Sequence, residues 1–264
     1  MKHRTAGVCM VKDEADIIGY TLMHMAGQVD ELIVADNGSS DDTGRILADL
    51  ARHLPLSIVE DPDPAYYQSR KMTELAALAA AGGATWIVPF DADELWFSPL
   101  GRISDVLADL WPVPIARASL YNHFCTALDA PGPVPFISTR WRQIAPAPLD
   151  KVAFRWEPGA VIHQGNHGVT LPGCMDSVLA LQVRHFPYRS PEQFVRKAVN
   201  GAAAYRLTDL PEDQGAHWRQ YGALVDTQGP DALADVFRRH FWFLQPAIAG
   251  MVDDPAPYQP TIAP

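Results

Sequence analysis

An α/β fold with a mostly parallel central sheet and helices on both faces follows from three observations. Short apolar runs alternate with helix-spaced apolar patterns over roughly the first hundred residues. Strand-helix repetition at that spacing makes crossover connections, which demand a parallel sheet covered on both sides. Acidic residues then fall just past the ends of the predicted strands, at the edge where open α/β sheets bind ligands.

The elements read as follows. Residues 7–11 form a short buried strand, with Cys9 a small core residue inside it. Ile17, Ile18, Thr21, Leu22 and Met25 recur at helical spacing. Residues 31–35 make a second strand that runs into the turn Asp36-Asn37-Gly38-Ser39-Ser40. Asp41, Asp42 and Thr43 open the next helix, where acids complement the positive end of the helix dipole. Its apolar face is Ile46, Leu47, Leu50, Ala51 and Leu54. Residues 56–59 are a third strand, ending in Glu60-Asp61-Pro62. Residues 67–81 form an alanine-rich helix stopped by Gly82-Gly83, and residues 86–90 a fourth strand that delivers Asp91-Ala92-Asp93-Glu94. Asp36, Asp61 and Asp91 therefore converge on one rim.

From about residue 112 to 148 the pattern weakens into proline-rich sequence, and further strands lie within 149–163 and 179–186. Ser190-Pro191-Glu192-Gln193 opens a helix that reaches about Tyr205, with serine as N-cap, proline at the first position and glutamine completing a capping box. Residues 253–264 are proline-rich and expected to be flexible.

Composition narrows the function. Formal net charge is -10, from 31 acidic and 21 basic residues. That argues against a nucleic-acid groove, which needs clustered lysine and arginine, and suits a site that holds a divalent cation. Cys9, Cys125 and Cys174 are far apart and odd in number, so neither a disulfide framework nor a structural zinc site is indicated. No apolar run approaches the roughly 18 residues a spanning helix needs. The charged residues 12–16 come too soon for a signal-peptide core. A cytoplasmic protein is expected, with any membrane contact peripheral, through the apolar stretch near Phe241.

The strongest chemical feature is Asp91-x-Asp93 at a strand end. Two carboxylates separated by one residue can face a single hard cation, Mn²⁺ or Mg²⁺, whose shell a diphosphate completes. Such a cation neutralises charge on a departing diphosphate.

Residues 11–18, Val11-Lys12-Asp13-Glu14-Ala15-Asp16-Ile17-Ile18, and residues 29–43, which include Ala35-Asp36-Asn37-Gly38-Ser39-Ser40-Asp41-Asp42-Thr43, resemble the family 2 glycosyltransferases. Asp91-Ala92-Asp93-Glu94 falls where that family carries its D-x-D. Within the family the chain is most similar to a small bacterial branch, itself similar to the family 92 enzymes. The resemblance covers about residues 5–97. It continues more thinly through His185-Phe186-Pro187-Tyr188-Arg189-Ser190 and Gln193-Phe194-x-x-Lys197.

The resemblance implies a GT-A (Rossmann-like) fold and a metal-dependent, inverting, hexosyl-type transfer. The donor would be a nucleotide-sugar, UDP-sugars first, and the acceptor a glycan or lipid-linked saccharide, as in bacterial surface polysaccharide synthesis. A catalytic domain would span 1–205, with a nucleotide-sugar half at 1–111 and an acceptor half at 112–205, followed by a helical extension at 206–252. Asp36 would meet the base or ribose, the loop around Glu14 would shape that pocket, and Arg70 would lie near base and phosphates. Asp91 would face ribose and metal, Asp93 would ligate the metal directly, and His185 would complete its site.

Each residue has a plainer reading. Asp36 also suits a turn former, Arg70 a solvated helix charge, Glu94 an orienting partner of Asp93, and His185 a satisfied half-buried histidine. An inverting transfer also needs a general base. Asp150, Glu157, His163, His167 and Asp176 are the candidates. His167 comes first, on the acceptor side, and Glu157 second, because the apolar Trp156 and Pro158 beside it would raise its pKa. A nucleotidyltransferase would need a glycine-rich basic loop after the first strand, and a dehydrogenase a G-x-G-x-x-G there; neither is present. The remaining alternative is a degenerate protein of the same fold that binds nucleotide-sugar or glycan without turnover.

Overall fold

A computed structural model describes residues 3–261. The amino-terminal half alternates regularly: β1 (Thr5–Val11), α1 (Ile18–Gln28), β2 (Glu31–Asp36), α2 (Thr43–Leu50), β3 (Leu56–Glu60), α3 (Gln68–Ala81) and β4 (Trp86–Pro89). Next come β5 (Glu94–Phe97), α4 (Ile103–Ala108), β6 (Ile115–Asn122), β7 (Cys125–Thr126), α5 (Pro135–Ser138) and β8 (Trp141–Gln143). They are followed by β9 (Lys151–Arg155), β10 (Val161–Ile162), β11 (Val169–Thr170) and β12 (Ser177–His185). The chain closes with α6 (Pro191–Arg206), α7 (Ala216–Gln228), α8 (Asp231–His240), β13 (Trp242–Phe243) and β14 (Met251–Asp253).

Eight strands form one sheet in the order β3-β2-β1-β4-β9-β6-β12-β5. β3, β2, β1 and β4 pair in parallel, as do β6 and β12. β9 runs against both β4 and β6, and β5 runs against β12. β4 and β6 therefore point the same way, and every strand of the sheet except β9 and β5 ends at one edge. The first residues of β9 and β5 arrive at that same edge.

Alternation along the strands divides the core into two layers. Cys9 and Val11 of β1 pack beneath Ile18, Leu22 and Leu47 of the first two helices. Ala6 and Val8 face Met72, Leu75, Ala76 and Ala79 of α3 on the other side. Burying a side chain such as Met72 or Leu75 contributes about 1.5–3 kcal/mol before entropy is counted, which fixes α3 against the sheet. The helices on both faces match the predicted architecture. At the head of α6 the Ser190 hydroxyl accepts the Gln193 amide at 3.1 Å, and Gln193 Oε1 accepts the Arg189 amide at 3.1 Å.

Two segments differ from the sequence reading. The weakly patterned stretch holds β6, a central strand whose buried residues are broken by exposed Arg117, which hides its periodicity. The segment after residue 252, expected to be flexible, is laid along the body as far as it is described. Asp254 accepts from Arg142 and Arg184, Tyr258 packs against Phe136 and Tyr20, and Thr261 N donates to the Met23 carbonyl. Ion pairs and aromatic contacts supply what proline-rich composition lacks; residues 262–264 lie outside the described residues.

Candidate functional site

The common strand edge carries the polar residues of the site. Asp13 and Glu14 follow β1, Asp91 to Glu94 join β4 to β5, Asn122 ends β6, Lys151 begins β9 and His185 ends β12. Above them opens a cavity of about 570 Å³, walled on its far side by Lys197 and Asn200 of α6 and by Trp218 of α7.

The Asp91–Glu94 turn is locked from several directions. Glu94 N donates to the Asp91 carbonyl at 3.1 Å, while Glu94 Oε2 accepts the Asp91 amide at 3.1 Å and the Trp96 indole at 3.0 Å. The Thr21 hydroxyl donates to the Ala92 carbonyl and the Phe186 amide to the Asp93 carbonyl. Glu94 is fully buried and serves as the internal brace of the turn. Burial pushes its pKa up and Lys151 opposes that rise, with the rise prevailing.

The two acids of the D-x-D have different surroundings. Asp91 Oδ2 lies 2.6 Å from Lys151 Nζ, and Asp91 Oδ1 accepts from Asn166 Nδ2 at 2.9 Å and Gln68 Nε2 at 3.2 Å. Both its oxygens are thus engaged. Asp93 Oδ2 accepts from Lys197 Nζ at 2.5 Å, while Asp93 Oδ1 faces His185 Nε2 at 3.6 Å. Burial alone would raise the Asp93 pKa, but Lys197, His185 and Arg189 hold it well below the usual carboxylate range.

Asn122 donates to Gln143 Oε1 through Nδ2, so its Oδ1 is left to accept His185 Nδ1–H at 2.8 Å. That bond turns His185 Nε2 toward Asp93. The 3.6 Å gap is too long for a strong hydrogen bond. It suits two ligand atoms sharing one cation, with Asn122 as the outer partner that orients the imidazole. The donor set fits a divalent ion held by one carboxylate oxygen and one imidazole nitrogen. Among the described residues no three His, Cys, Asp or Glu side chains converge on a point, so a ligand would have to complete the shell.

The remaining predicted residues are distributed unevenly. Glu14 lines the cavity; Oε1 lies 2.9 Å from Lys197 Nζ and Oε2 pairs with Arg189. His167 also lines it, and its Nδ1 bonds to the Asp150 carbonyl at 3.1 Å. That carbonyl can only accept, so Nδ1 carries the proton and Nε2 the lone pair. Burial, then the charge of Lys151, lowers the His167 pKa. Asp36 ends β2 and its Oδ1 accepts the Ser39 amide at 2.9 Å, the bond of a turn former. Arg70 lies on the outer side of α3, paired with Asp63 at 2.7 Å and stacked on Tyr67. Its neighbour Lys71 is the buried one, paired with Asp61 at 2.7 Å. Glu157 is not brought to the rim. β9 runs antiparallel to β4, so Trp156 N reaches the Thr85 carbonyl at the opposite end of β4 from Asp91, and Glu157 accepts the Gly173 amide there.

Sequence reasoning missed Lys151 and Asn122 and gave Lys197 and Arg189 no role. Lys197 stands in the thin second half of the motif series, and its spacing from Gln193 on a capped helix was the available sign.

No family model matches the chain. A curated TPR repeat-containing protein of Synechococcus elongatus is 28% identical over 229 residues, covering 78% of this chain and 49% of its own. The chain thus spans about half the length of the curated relative it matches. Similar solved structures include S. aureus TarS 1–349 in complex with UDP, at 13% identity and a TM-score of 0.40 over 83% of this chain and 70% of that one. The same TarS fragment with UDP-GlcNAc gives 14% identity and a TM-score of 0.38 over the same shares, 83% and 70%. A mycobacterial protein is 22% identical over 46% of this chain and 41% of its own, with a TM-score of 0.33.

Proposed function

We propose that the protein is a glycosyltransferase that moves a hexosyl group, with inversion, from a nucleotide-sugar, a UDP-sugar first, to a saccharide or lipid-linked acceptor. The observation that carries this reading is the Asp93–His185 pair, open toward one cation at the floor of the rim cavity. A carboxylate and an imidazole alone fill only part of a cation's shell, and a diphosphate brings the further oxygens.

Asp93 Oδ1 and His185 Nε2 would hold a divalent cation, Mn²⁺ suiting the mixed oxygen and nitrogen set. The cation would neutralise charge on the departing diphosphate. Asp91, pinned by Lys151, Asn166 and Gln68, keeps the turn that presents Asp93. His167 is the general base: its Nε2 lone pair takes the proton of the acceptor hydroxyl as that oxygen bonds to the anomeric carbon. The bond from the anomeric carbon to the diphosphate oxygen breaks in the same step, and the electron pair leaves with the diphosphate.

Thermal melting with a panel of nucleoside diphosphates, in Mn²⁺ or in EDTA, tests the donor site. A ligand at about 100 times its Kd adds roughly 2.7 kcal/mol of stability. A metal-dependent shift with one nucleotide class, together with release of that nucleotide from its sugar conjugate when acceptor is added, supports the reading. Binding without release under any acceptor would favour the degenerate binding protein instead, and no shift at all would defeat both.

A further inference from the structure

Among the described residues, Lys12, Lys151, Arg189 and Lys197 stand near the acids that line the cavity, and counting their donors separates them. Lys151 Nζ is 2.6 Å from Asp91, 2.8 Å from Glu94 and 2.8 Å from the Gly165 carbonyl. An ammonium has three donors, so Lys151 has none left. Arg189 is turned to Asp16, Glu14 and the Phe186 carbonyl, and its side chain is only 5% exposed. Lys12 touches the Asn37 carbonyl beyond β2 and neither acid of the D-x-D. Lys197 differs from all three. It contacts Glu14 Oε1 at 2.9 Å and Asp93 Oδ2 at 2.5 Å, its side chain is 25% exposed, and it lines the cavity. Those two contacts leave one N–H of its ammonium without a partner among the described residues.

We infer that Lys197 is a catalytic residue that gives its third N–H to the leaving diphosphate, on the side of Asp93 away from the His185 pair. The inference rests on the proposed donor site. Asp93 has one oxygen facing His185 and the other held by Lys197. A diphosphate drawn to that carboxylate by a cation therefore meets the ammonium as well. Lys197 stays protonated throughout: it transfers no proton and stabilises charge as the bond to the sugar breaks. Glu14 has the matching role of a positioning residue, holding the ammonium over the floor when the site is empty.

The test is titration calorimetry in EDTA, which keeps metal out. UDP, GDP, ADP, CDP and dTDP are compared with their parent nucleosides. The wild-type protein is expected to bind at least one diphosphate more tightly than its nucleoside. Lys197→Gln should weaken that diphosphate about tenfold or more, the worth of a hydrogen bond to a charged group, and leave the nucleoside within about twofold. Because Lys197→Gln strands the buried Asp93, Asp93→Asn is also compared with Asp93→Asn/Lys197→Gln, where no lone charge remains. The same selective loss between those two variants is expected. Equal losses for nucleoside and diphosphate, or an unchanged diphosphate affinity, would overturn the assignment while the donor site stands. A wild-type protein that binds none of the diphosphates, even with Mn²⁺ added, would remove the donor site and this role together.

Discussion

Lys151 Nζ lies 2.6 Å from Asp91 Oδ2 and 2.8 Å from Glu94 Oε1, so the first residue of one antiparallel strand neutralises two acids from the turn beside it. The side chain is 3% exposed, and Glu94 is wholly buried. Burial disfavours the ammonium, but Asp91 and Glu94 outweigh it and hold the Lys151 pKa above the ordinary lysine value. The turn that presents Asp93 therefore depends on a cation that reaches it from another part of the chain.

Lys151→Met is expected to destabilise the protein by about 3–5 kcal/mol, because it leaves buried carboxylate charge without a partner. Lys151→Met/Glu94→Gln should recover part of that loss, since one of the stranded charges is then gone. Urea unfolding of the three proteins checks this. A wild-type midpoint for Lys151→Met would mean that the ion cluster contributes nothing to the fold.

His167 provides a pH signature. Its pKa is lowered by burial and by Lys151, so it falls below the ordinary 6.5 and the ring is neutral at pH 7. A base works only when unprotonated. The rate is therefore expected to be flat through neutrality and to fall only as pH drops past a pKa below 6.5. His167→Gln should lower kcat by about 10²–10⁴-fold and abolish that acid limb. A pH profile unchanged by the substitution would exclude His167 as the base.

In the proposed site Asn122 would act on the cation through His185. Asn122→Ala frees the imidazole that Asn122 Oδ1 orients at 2.8 Å. It is expected to weaken Mn²⁺ binding in the presence of a nucleoside diphosphate by about 10–100-fold, the usual loss when an outer partner is removed. Electron paramagnetic resonance of free Mn²⁺ reads this directly, with the unchanged melting temperature in EDTA as the control. Equal Mn²⁺ affinity in both proteins would make the Asn122–His185 bond purely structural.

The rim was legible in the sequence because two rules act locally: apolar alternation locates the strands, and parallel crossovers put their ends on one edge. Asp91 and Asp93 fall where those rules send them, whereas His185 was singled out only by the family resemblance. What partners them was not legible, since Lys151 is 60 residues from Asp91 and Lys197 is 104 from Asp93, and charge pairing across such distances leaves no periodicity. Glu157 shows the opposite failure. Its apolar neighbours make it look like a tuned base, but the direction of β9 carries it to the far end of the sheet. Strand direction is a property of the whole sheet, and no local pattern around Trp156 reports it. The carboxyl-terminal segment was misjudged for a related reason: its partners, such as Met23, His24, Arg142 and Arg184, lie in distant parts of the chain.

That segment makes the last prediction, through His24. Gln259 N donates to His24 Nδ1 at 3.1 Å, and His24 Nε2 bonds to the Trp96 carbonyl at 2.8 Å, so the fold holds the ring as a neutral tautomer. Burial lowers its pKa from 6.5 to about 4, against the bond to the Trp96 carbonyl. Above pH 6.5 neither the folded nor the unfolded chain carries a proton there, and the contribution of the site is complete. As pH falls below 6.5 the unfolded chain takes up a proton that the fold refuses. Stability then drops by about 1.4 kcal/mol per pH unit. The loss ends near pH 4, where the folded ring also protonates, after a total of roughly 3 kcal/mol. A proton on Nδ1 would confront the Gln259 N–H, so the carboxyl-terminal segment should release as the ring charges. Urea unfolding from pH 7 to 4 is expected to show this slope in the wild-type protein and a smaller one in His24→Gln. Hydrogen exchange at Gln259 and Thr261 should rise over the lower part of the same interval. Identical slopes in the two proteins would show that His24 contributes nothing to the acid sensitivity of the fold.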